Sequence, residues 1–309
     1  MADRVERIGG GTLVHHGKTN RRIYVMKLDP TDLPGILDDL DGLARRRGYT
    51  KIFAKVPEAA SPWFRTAGYR TEARVPGFFR GRRAARFMAR FLDPERRRER
   101  VPERVDSVLA LVGEIGAAGV PEAPAGKPVE TGKGPAPALP GASEAPKPIS
   151  GKADFALRRL TPGDAERMAA VYGEVFRSYP FPIDDPDHLR RAMAGDALYV
   201  GAESGGELVA LAAAEMDPGD RNAEMTDFAT RPEWCGRGLA RRLLGRMERE
   251  VRTLGVRTAY TIARAGSPGM NLVFARGGYA YGGTLVNNSQ IAGRIESMNV
   301  WYKALDGEG

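Results

Sequence analysis

Hydrophobic positions in the second half of the chain follow two different periods. In some short segments apolar and polar residues alternate, as they do in half-buried strands, whereas other segments repeat every three or four residues, as amphipathic helices do. These patterns predict the order β-α-α-β-β-β-α-β-α-β-β, with strands at 156–160, 198–203, 207–216, 223–230, 257–264, 279–286 and 298–303. The predicted fold class is therefore α/β, with a mixed sheet flanked by helices.

Cap and turn residues mark the ends of the predicted elements. Thr161 followed by Pro162 is typical of a helix start, and Gly255 is typical of a helix end. Gly205 and Gly206 indicate a tight hairpin between two of the strands. The predicted helices lie at 162–177, after 185–186, at 239–254 and at 268–276.

The first 92 residues carry a shorter version of the same pattern. The segment 48–54 resembles 255–261. Ala67-Gly68-Tyr69 has the place of Gly277-Gly278-Tyr279, where a helix ends and a strand begins. Two matches in the same order favour a smaller α/β domain, related to one half of the second domain.

A proline-rich segment at 119–150 separates the two patterns. It contains 8 of the 22 prolines and no aromatic residue, so it cannot bury enough apolar surface to offset the entropy of ordering it. The Arg- and Glu-rich segment 93–117 before it predicts a helix. We therefore expect a first domain at 1–92, a helix and linker at 93–153, and a second domain at 154–309.

The composition bears on the cellular environment of the protein and on whether it has a disulfide or a metal site. No apolar run approaches the ~18 residues of a membrane span, and no hydrophobic segment follows the first residues. A cytoplasmic protein without a membrane partner is therefore expected. Cys235 is the only cysteine and the three histidines are scattered, so neither a disulfide nor a metal site is expected.

The net charge of +8 raises the question of nucleic-acid binding. The basic excess lies in residues 1–118, which contain 24 Lys and Arg against 15 Asp and Glu, whereas residues 154–309 contain 19 against 21. The arginines form short clusters without aromatic residues between them, as solvated helix faces do. We therefore expect no nucleic-acid partner.

The most informative segment is a glycine-containing loop between a strand and a long helix, at 223–240. Gly236 and Gly238 stand directly before the helix. Backbone N–H groups at a helix start can hold a phosphate, and glycine lets the ligand approach the backbone closely. The same glycines could instead serve only the geometry of the turn. The first domain has no such loop, so it should not bind a phosphate in this way.

The loop Gly236-Arg237-Gly238-Leu239-Ala240 resembles the acetyl-CoA loop of the GNAT acetyltransferase superfamily. Cys235 departs from the family pattern, which has Arg or Gln there, but it leaves every backbone donor in place. The resemblance covers about 155–305 and implies a GNAT fold with acetyl-CoA as co-substrate. It assigns contacts with acetyl-CoA to Phe228, Ala229, Thr230, Gly236, Arg237, Gly238, Leu239, Ala240 and Asn271.

Further segments are similar to the β-lysine N-acetyltransferase family. They are Tyr179-Pro-Phe-Pro-Ile183, 222–230, 259–265 and 296–303, and in the first domain 11–18 and 49–56. This resemblance implies transfer of acetyl from acetyl-CoA to the side-chain (ε) amine of L-β-lysine. The product, Nε-acetyl-β-lysine, would be a compatible solute for osmoadaptation, and lysine 2,3-aminomutase would supply the substrate.

Acetylation of an amine needs a proton acceptor, because a lysine-type amine has a pKa of ~10.4 and arrives charged. Glu224, on the strand before the loop, has the position at which many GNAT enzymes carry their general base, and Glu215 is the second candidate. Phe274 stands where many of these enzymes carry a tyrosine that protonates the leaving thiolate. Tyr281 or Tyr260 could replace that tyrosine, and Tyr281 is our candidate.

Polar residues near the expected groove are candidates for substrate binding. They are Asp227, Arg264, Asn287 and Asn288, together with Glu296. Asn287 and Asn288 also have the character of a turn. Two alternatives to β-lysine acetylation stay open. One is an acetyltransferase for another diamine, diamino acid or polyamine, and the other is a non-catalytic, acetyl-CoA-responsive regulatory module.

Overall fold

The computed structural model of the protein describes residues 3–117, 155–176, 179, 181–291 and 293–305. The linker predicted at 119–150 lies outside the described residues. None of the helices that the structure describes is long and apolar enough to cross a membrane.

The chain before residue 118 forms one run of strands with helices between them. The strands are β1 (Arg4–Ile8), β2 (Thr12–Gly17), β3 (Arg22–Lys27), β4 (Lys51–Pro57), β5 (Arg70–Phe79) and β6 (Arg83–Phe91). The helices are α1 (Ile36–Arg47), α2 (Ser61–Thr66), α3 (Pro94–Arg97) and α4 (Pro102–Ala117). The predicted helix at 93–117 is thus divided into α3 and α4.

The second half follows the predicted order of elements. Its strands are β7 (Ala156–Arg159), β8 (Ala197–Ser204), β9 (Glu207–Asp217), β10 (Asn222–Thr230), β11 (Thr258–Arg264), β12 (Ala280–Ile291) and β13 (Arg294–Ala304). Its helices are α5 (Ala165–Val175), α6 (Pro186–Ala194), α7 (Leu239–Thr253) and α8 (Pro268–Arg276). A short 3-10 turn at Pro162–Asp164 precedes α5.

One mixed sheet runs through both halves, in the order β1-β2-β3-β4-β6-β5-β12-β13-β11-β10-β9-β8-β7. This order is symmetric about the contact between β5 and β12, where Ala73 pairs with Gly283. Outward from that contact, β6, β4, β3, β2 and β1 correspond to β13, β11, β10, β9 and β8. Each half contains one parallel pair at the same place, β3 with β4 and β10 with β11.

Corresponding connections in the two halves also make the same hydrogen bond. The carbonyl of Arg21, before β3, accepts from the N–H of Thr50 at 2.8 Å. The carbonyl of Arg221, before β10, accepts from the N–H of Arg257 at the same distance. Arg21 and Arg221 both have positive φ, at 46° and 53°. Strand order and local geometry therefore agree with the related half-domain that the sequence suggests.

The helices pack on the sheet through one apolar face. In α7 the buried side chains recur at intervals of one, three and four residues, which places them on one side of the helix. They are Leu239, Leu243, Leu244, Met247 and Val251. These residues belong to the core that also contains β8, β9 and β10.

The last two strands are longer than the sequence pattern predicts. Asn287 and Asn288, which have the character of a turn in the sequence, lie inside β12. The pairing of β12 with β13 is irregular between Leu285 and Ser289, and Asn287 has a φ of 45° there. The two asparagines therefore form a bulge, not a turn, and the strand continues beyond them.

Candidate active site

A cleft opens where β10 and β11 separate. The two strands pair in parallel only along Asn222–Glu224, opposite Thr258–Tyr260. Beyond this point β10 contains a bulge in which Asp227 has a φ of 53°. A cavity of about 760 Å³ lies there, which we call the β10–β11 cleft. Its mostly apolar walls include Met225, Phe228, Ile262, Met270 and Phe274.

The loop after β10 leads into α7 through two glycines with left-handed backbone. Gly236 has a φ of 78°, and Gly238, the residue before the helix, has a φ of 73°. Such a backbone is costly for a residue with a side chain. A Cβ on either glycine would meet no atom within 4 Å, so the adjacent space is open. The first N–H groups of α7 lack partners within the helix and suit a phosphate.

A second cavity, of about 560 Å³, lies between the two halves of the sheet. We call it the inter-half cavity. It adjoins the β10–β11 cleft, because both are lined by Tyr179, Thr226, Asp227, Ile262, Ile291 and Met298. Its other polar residues come from both halves and include Arg22, Tyr24, Lys55, Glu215, Glu224 and Tyr260.

Hydrogen bonds that start in the first half hold Glu224. Lys55 Nζ donates to Tyr260 Oη at 2.9 Å, and Tyr260 hydrogen-bonds the Glu224 carboxylate. Tyr260 and Glu224 are also partners in the parallel pairing of β10 and β11. The ammonium of Lys55 therefore stabilises negative charge on a carboxylate in the inter-half cavity.

Glu215 lies directly opposite Glu224 in the antiparallel pairing of β9 and β10. Its enclosure in the cavity and the carboxylates of Asp227 and Glu224 raise the pKa of Glu215 to about 8. Burial also raises the pKa of Glu224, but Lys55 and the hydrogen bond from Tyr260 oppose this effect. Two neighbouring carboxyl groups resist ionising together. At neutral pH Glu215 therefore holds its proton, whereas Lys55 and Tyr260 favour the charged form of Glu224.

Asp227 lies where the cleft meets the inter-half cavity. Tyr179 Oη donates to Asp227 Oδ1 at 2.6 Å, and the Thr226 hydroxyl donates to the same oxygen at 3.1 Å. Burial raises the pKa of Asp227. Three acidic side chains thus line the way from the inter-half cavity to the cleft, and this arrangement attracts a cationic amine.

The residues predicted to contact acetyl-CoA lie at different places along β10, the loop and α7. Phe228 lines the cleft, whereas the side chain of Ala229 is buried in the core. Thr230 ends β10, Gly236, Arg237 and Gly238 lie in the loop, and Leu239 and Ala240 begin α7, where the side chain of Leu239 is buried in the core. The guanidinium of Arg237 lies over the Trp234 ring, 4.5 Å from its centre.

Asn271 has an internal role that the sequence did not reveal. Its Nδ2 donates to the carbonyls of Arg264 at 2.9 Å and Ser267 at 2.7 Å. Its Oδ1 accepts from Asn299 Nδ2 and Trp301 Nε1, each at 2.9 Å. The side chain is fully buried and its hydrogen-bonding capacity is used. The structure therefore does not support the predicted contact with acetyl-CoA, and Asn271 instead joins α8 to β11 and β13.

Replacing Asn271 with Ala should lower stability and leave acetyl-CoA affinity nearly unchanged. The change leaves buried donors on Trp301 and Asn299 without their acceptor, at a cost of roughly 1–3 kcal/mol each. Urea denaturation would measure the loss, and calorimetry would measure the affinity. A large fall in affinity at unchanged stability would instead restore the direct contact.

The predicted substrate residues differ in where they lie. Arg264 lines the cleft, but its guanidinium forms an ion pair with Glu296 at 2.7 and 2.8 Å. Asn288 lines the inter-half cavity. Asn287 is not among the residues that line either cavity, and its Nδ2 donates to the carbonyl of Arg96 at 3.0 Å. The structure therefore does not support a substrate contact for Asn287.

Tyr281 is not among the residues that line either cavity. It is 42% exposed, packs against Trp301 and forms a hydrogen bond with the Thr284 hydroxyl. This position does not support Tyr281 as the general acid, whereas the phenol of Tyr179 lies at the junction itself.

Sequence reasoning missed the contribution of the first half to this site. Arg22, Tyr24 and Lys55 line the inter-half cavity, although the first domain has no phosphate loop. Lys55 belongs to the segment 49–56 and Tyr179 to 179–183, and both segments resemble the family. That resemblance was the available signal, but it could not say which residues of a segment reach the site.

Comparison with known proteins identifies the family of this chain. The model of the GNAT acetyltransferase family matches residues 166–274, which include β10, the loop and α7. The β-lysine N(6)-acetyltransferase of Methanococcus maripaludis is 33% identical over 292 residues, covering 94% of this chain and 96% of that protein. The chain belongs to the β-lysine N(6)-acetyltransferase family. It is an acetyl-CoA-dependent N-acetyltransferase with a GNAT fold, as its motifs predict.

Two further relatives agree with this family membership. The β-lysine N(6)-acetyltransferase of Methanosarcina mazei is 39% identical over 151 residues, covering 49% of this chain and 56% of that protein. The N-acetyltransferase YodP of Bacillus subtilis is 27% identical over 305 residues, covering 99% and 100% of the two chains. Like the other members of its family, this enzyme transfers acetyl to an amine. The alignments with the first and third relatives include both halves of the sheet.

Proposed function

We propose that this enzyme transfers acetyl from acetyl-CoA to the N6 amine of L-β-lysine. The observation that carries the proposal is the acidic inter-half cavity, which meets an apolar cleft at Asp227. A cationic side chain entering the cavity would reach the cleft with its amine. The names of two relatives favour β-lysine as that substrate.

We assign acetyl-CoA to the β10–β11 cleft and to the loop before α7. The left-handed glycines Gly236 and Gly238 and the open space beside them suit the pyrophosphate. The apolar cleft suits the pantetheine arm and the acetyl group. A backbone N–H of the strand end 228–230 would meet the oxyanion that forms on the thioester carbonyl.

The proton of the substrate ammonium passes to Glu224, directly or through water. The freed amine then attacks the thioester carbon, so that a C–N bond forms and the C–S bond breaks. The CoA thiolate leaves and takes a proton from Tyr179, which lines both cavities, and the second proton of the acetylated nitrogen returns to that phenol. Lys55 and Tyr260 act as positioning residues, because they stabilise negative charge on the Glu224 carboxylate against the effect of its burial.

Purified enzyme should acetylate L-β-lysine with steady release of CoA, and mass spectrometry should place the acetyl group on N6. L-lysine, L-ornithine and spermidine serve as competitors for the substrate assignment. If any of them has a higher kcat/KM than β-lysine, that compound is the substrate and the assignment of β-lysine is wrong. Acetylation at the β-amine would contradict the assignment of N6.

We further propose that the product is a compatible solute in the cytoplasm and that lysine 2,3-aminomutase supplies the substrate. The chemistry requires an enzyme that moves the α-amine of lysine to the β-carbon. Co-expression of the two enzymes should accumulate Nε-acetyl-β-lysine, and accumulation should rise with external salt in the native host. A level of Nε-acetyl-β-lysine that does not change with external salt would contradict the osmotic role.

A further inference from the structure

Arg22, at the start of β3, is a buried cation without a carboxylate partner among the described residues. It lines the inter-half cavity and is only 6% exposed. Its two hydrogen bonds both leave from Nη1, to the Asn288 carbonyl at 2.6 Å and to Ser289 Oγ at 3.1 Å. Its Nε is buried without a hydrogen-bond partner. Burial lowers the pKa of Arg22 to about 10, so it is still charged at neutral pH.

A buried guanidinium that lacks both an anion and a hydrogen-bond partner for its Nε is costly, and three other cations among the described residues have their charged nitrogens bonded. Lys55, in the same cavity, donates to Tyr260. Lys27, at its edge, pairs with Asp217 at 3.0 Å. Arg96, equally buried, uses Nε, Nη1 and Nη2 in bonds to two carbonyls and a hydroxyl. Arg22, which has an unpartnered Nε and no carboxylate beside it among the described residues, therefore suits an anionic group of a ligand.

An unpartnered acceptor lies beside this unpartnered donor. Asn288 lines the same cavity and is 2% exposed, and its Oδ1 has no hydrogen-bond partner. Its backbone carbonyl accepts from Arg22 Nη1, so the guanidinium lies beside this residue. A carboxylate with an ammonium group two carbons away would satisfy both, and the acidic side chains at the other end of the cavity would receive a second amine.

We propose that Arg22 and Asn288 bind the amino-acid end of the substrate, with Arg22 on the carboxylate and Asn288 on the β-ammonium. This inference rests on the proposed function. Arg22, in the first half of the sheet, would then determine substrate specificity, because it favours a diamino acid over a diamine or polyamine of the same length. The amine that reacts then points towards Asp227 and the cleft.

The test compares L-β-lysine with 1,4-diaminopentane, which is β-lysine without its carboxylate. Wild-type enzyme should prefer β-lysine in kcat/KM by roughly 10–100-fold, the range of a charge-assisted hydrogen bond. In Arg22→Met this preference should collapse to within about threefold, through loss of activity on β-lysine alone. The KM for acetyl-CoA should not change. Because the readout is a ratio within one preparation, a partly unfolded variant still reports it.

Arg90→Met is the matched control, since Arg90 lies in the same half, pairs with Asp41 and is not among the residues that line either cavity. It should keep the full preference. Arg22→Lys, which restores a charge without the planar fork, should recover part of it. Equal losses on both substrates in Arg22→Met, or a wild-type enzyme that accepts both equally, would overturn the inference.

Failure of the proposed function gives a different result. If the wild type acetylates L-lysine and not β-lysine, the substrate assignment is wrong, and the same comparison is made between L-lysine and 1,5-diaminopentane. Loss of that preference in Arg22→Met would still support the carboxylate site. A wild type that prefers spermidine to every amino acid would contradict both.

Discussion

Glu224→Gln should reduce kcat for amine acetylation at pH 7 by roughly 10²–10⁴-fold, the usual contribution of a positioned acid–base group. Gln keeps the size of the side chain and a hydrogen bond with Tyr260 but cannot accept the proton. Acetyl-CoA affinity should hardly change, because Glu224 lines the inter-half cavity and is not among the residues that line the cleft. Steady-state kinetics and calorimetry measure the two quantities.

The deficit of Glu224→Gln should shrink as pH rises. The nucleophile is the neutral amine, and solvent supplies more of it as the pH approaches the amine pKa of ~10.4. A deficit that stays constant with pH would point to a positioning role. Full activity at pH 7 would exclude Glu224 as the proton acceptor.

Glu215→Gln is the matched control at neutral pH. Glu215 holds its proton there, since enclosure and the neighbouring carboxylates raise its pKa to about 8, and Gln resembles a protonated Glu. We expect a far smaller loss than in Glu224→Gln at pH 7. Above pH 8 Glu215 of the wild type loses its proton and adds a negative charge that attracts the substrate ammonium. The Gln of the variant cannot ionise, so its activity should lack this change. A larger loss in Glu215→Gln than in Glu224→Gln would exchange the two roles.

Gly238→Val should lower acetyl-CoA affinity at least 100-fold. Gly238 has a φ of 73°, a conformation that costs a β-branched residue roughly 1–2 kcal/mol or more. Its Cβ would also enter the open space that we assign to the pyrophosphate. A strained loop and a filled phosphate site should act together, and calorimetry with acetyl-CoA measures the result.

Gly255→Val separates these two causes. Gly255 follows the other end of α7 and has a φ of 85°, and a Cβ added to it would meet no atom within 4 Å. The variant should lose stability much as Gly238→Val does, yet bind acetyl-CoA normally. Equal affinity losses in both variants would mean that strain in α7, not the phosphate site, is responsible. Unchanged affinity in Gly238→Val would remove the phosphate assignment.

The two halves of the sheet have the same strand order but different residues at corresponding positions. The residue before α7 is Gly238, in left-handed conformation, whereas the residue before the corresponding α1 is Gly35, with a φ of −55°. Only the second half therefore presents the loop geometry suited to a phosphate. At corresponding strand starts, the first half has Arg22 and the second has Asn222. The first half contributes Arg22 and Lys55 to the inter-half cavity, and the second half contributes the acidic side chains that line it.

Local patterns were sufficient for the order of elements. The helix 268–276 and the strand 223–230 match α8 and β10 to within a residue, because their periodicity and their Gly and Pro residues are short-range signals. The strand at 298–303 was too short. Its extension to Arg294 depends on pairing with the bulged β12, which no local pattern records.

The sequence by itself determined the family, the glycine-containing loop and the presence of Glu224 on the strand before it. These features depend on residues adjacent in the chain, where motif and backbone geometry are linked directly. Only the tertiary structure decided the partners. Lys55 reaches Tyr260 across 205 positions, the amide of Asn271 is hydrogen-bonded within the protein, and Tyr179 lines the cleft whereas Tyr281 does not. Hydrogen-bond partners and burial are set by strands far apart in the chain, so sequence spacing does not reveal them.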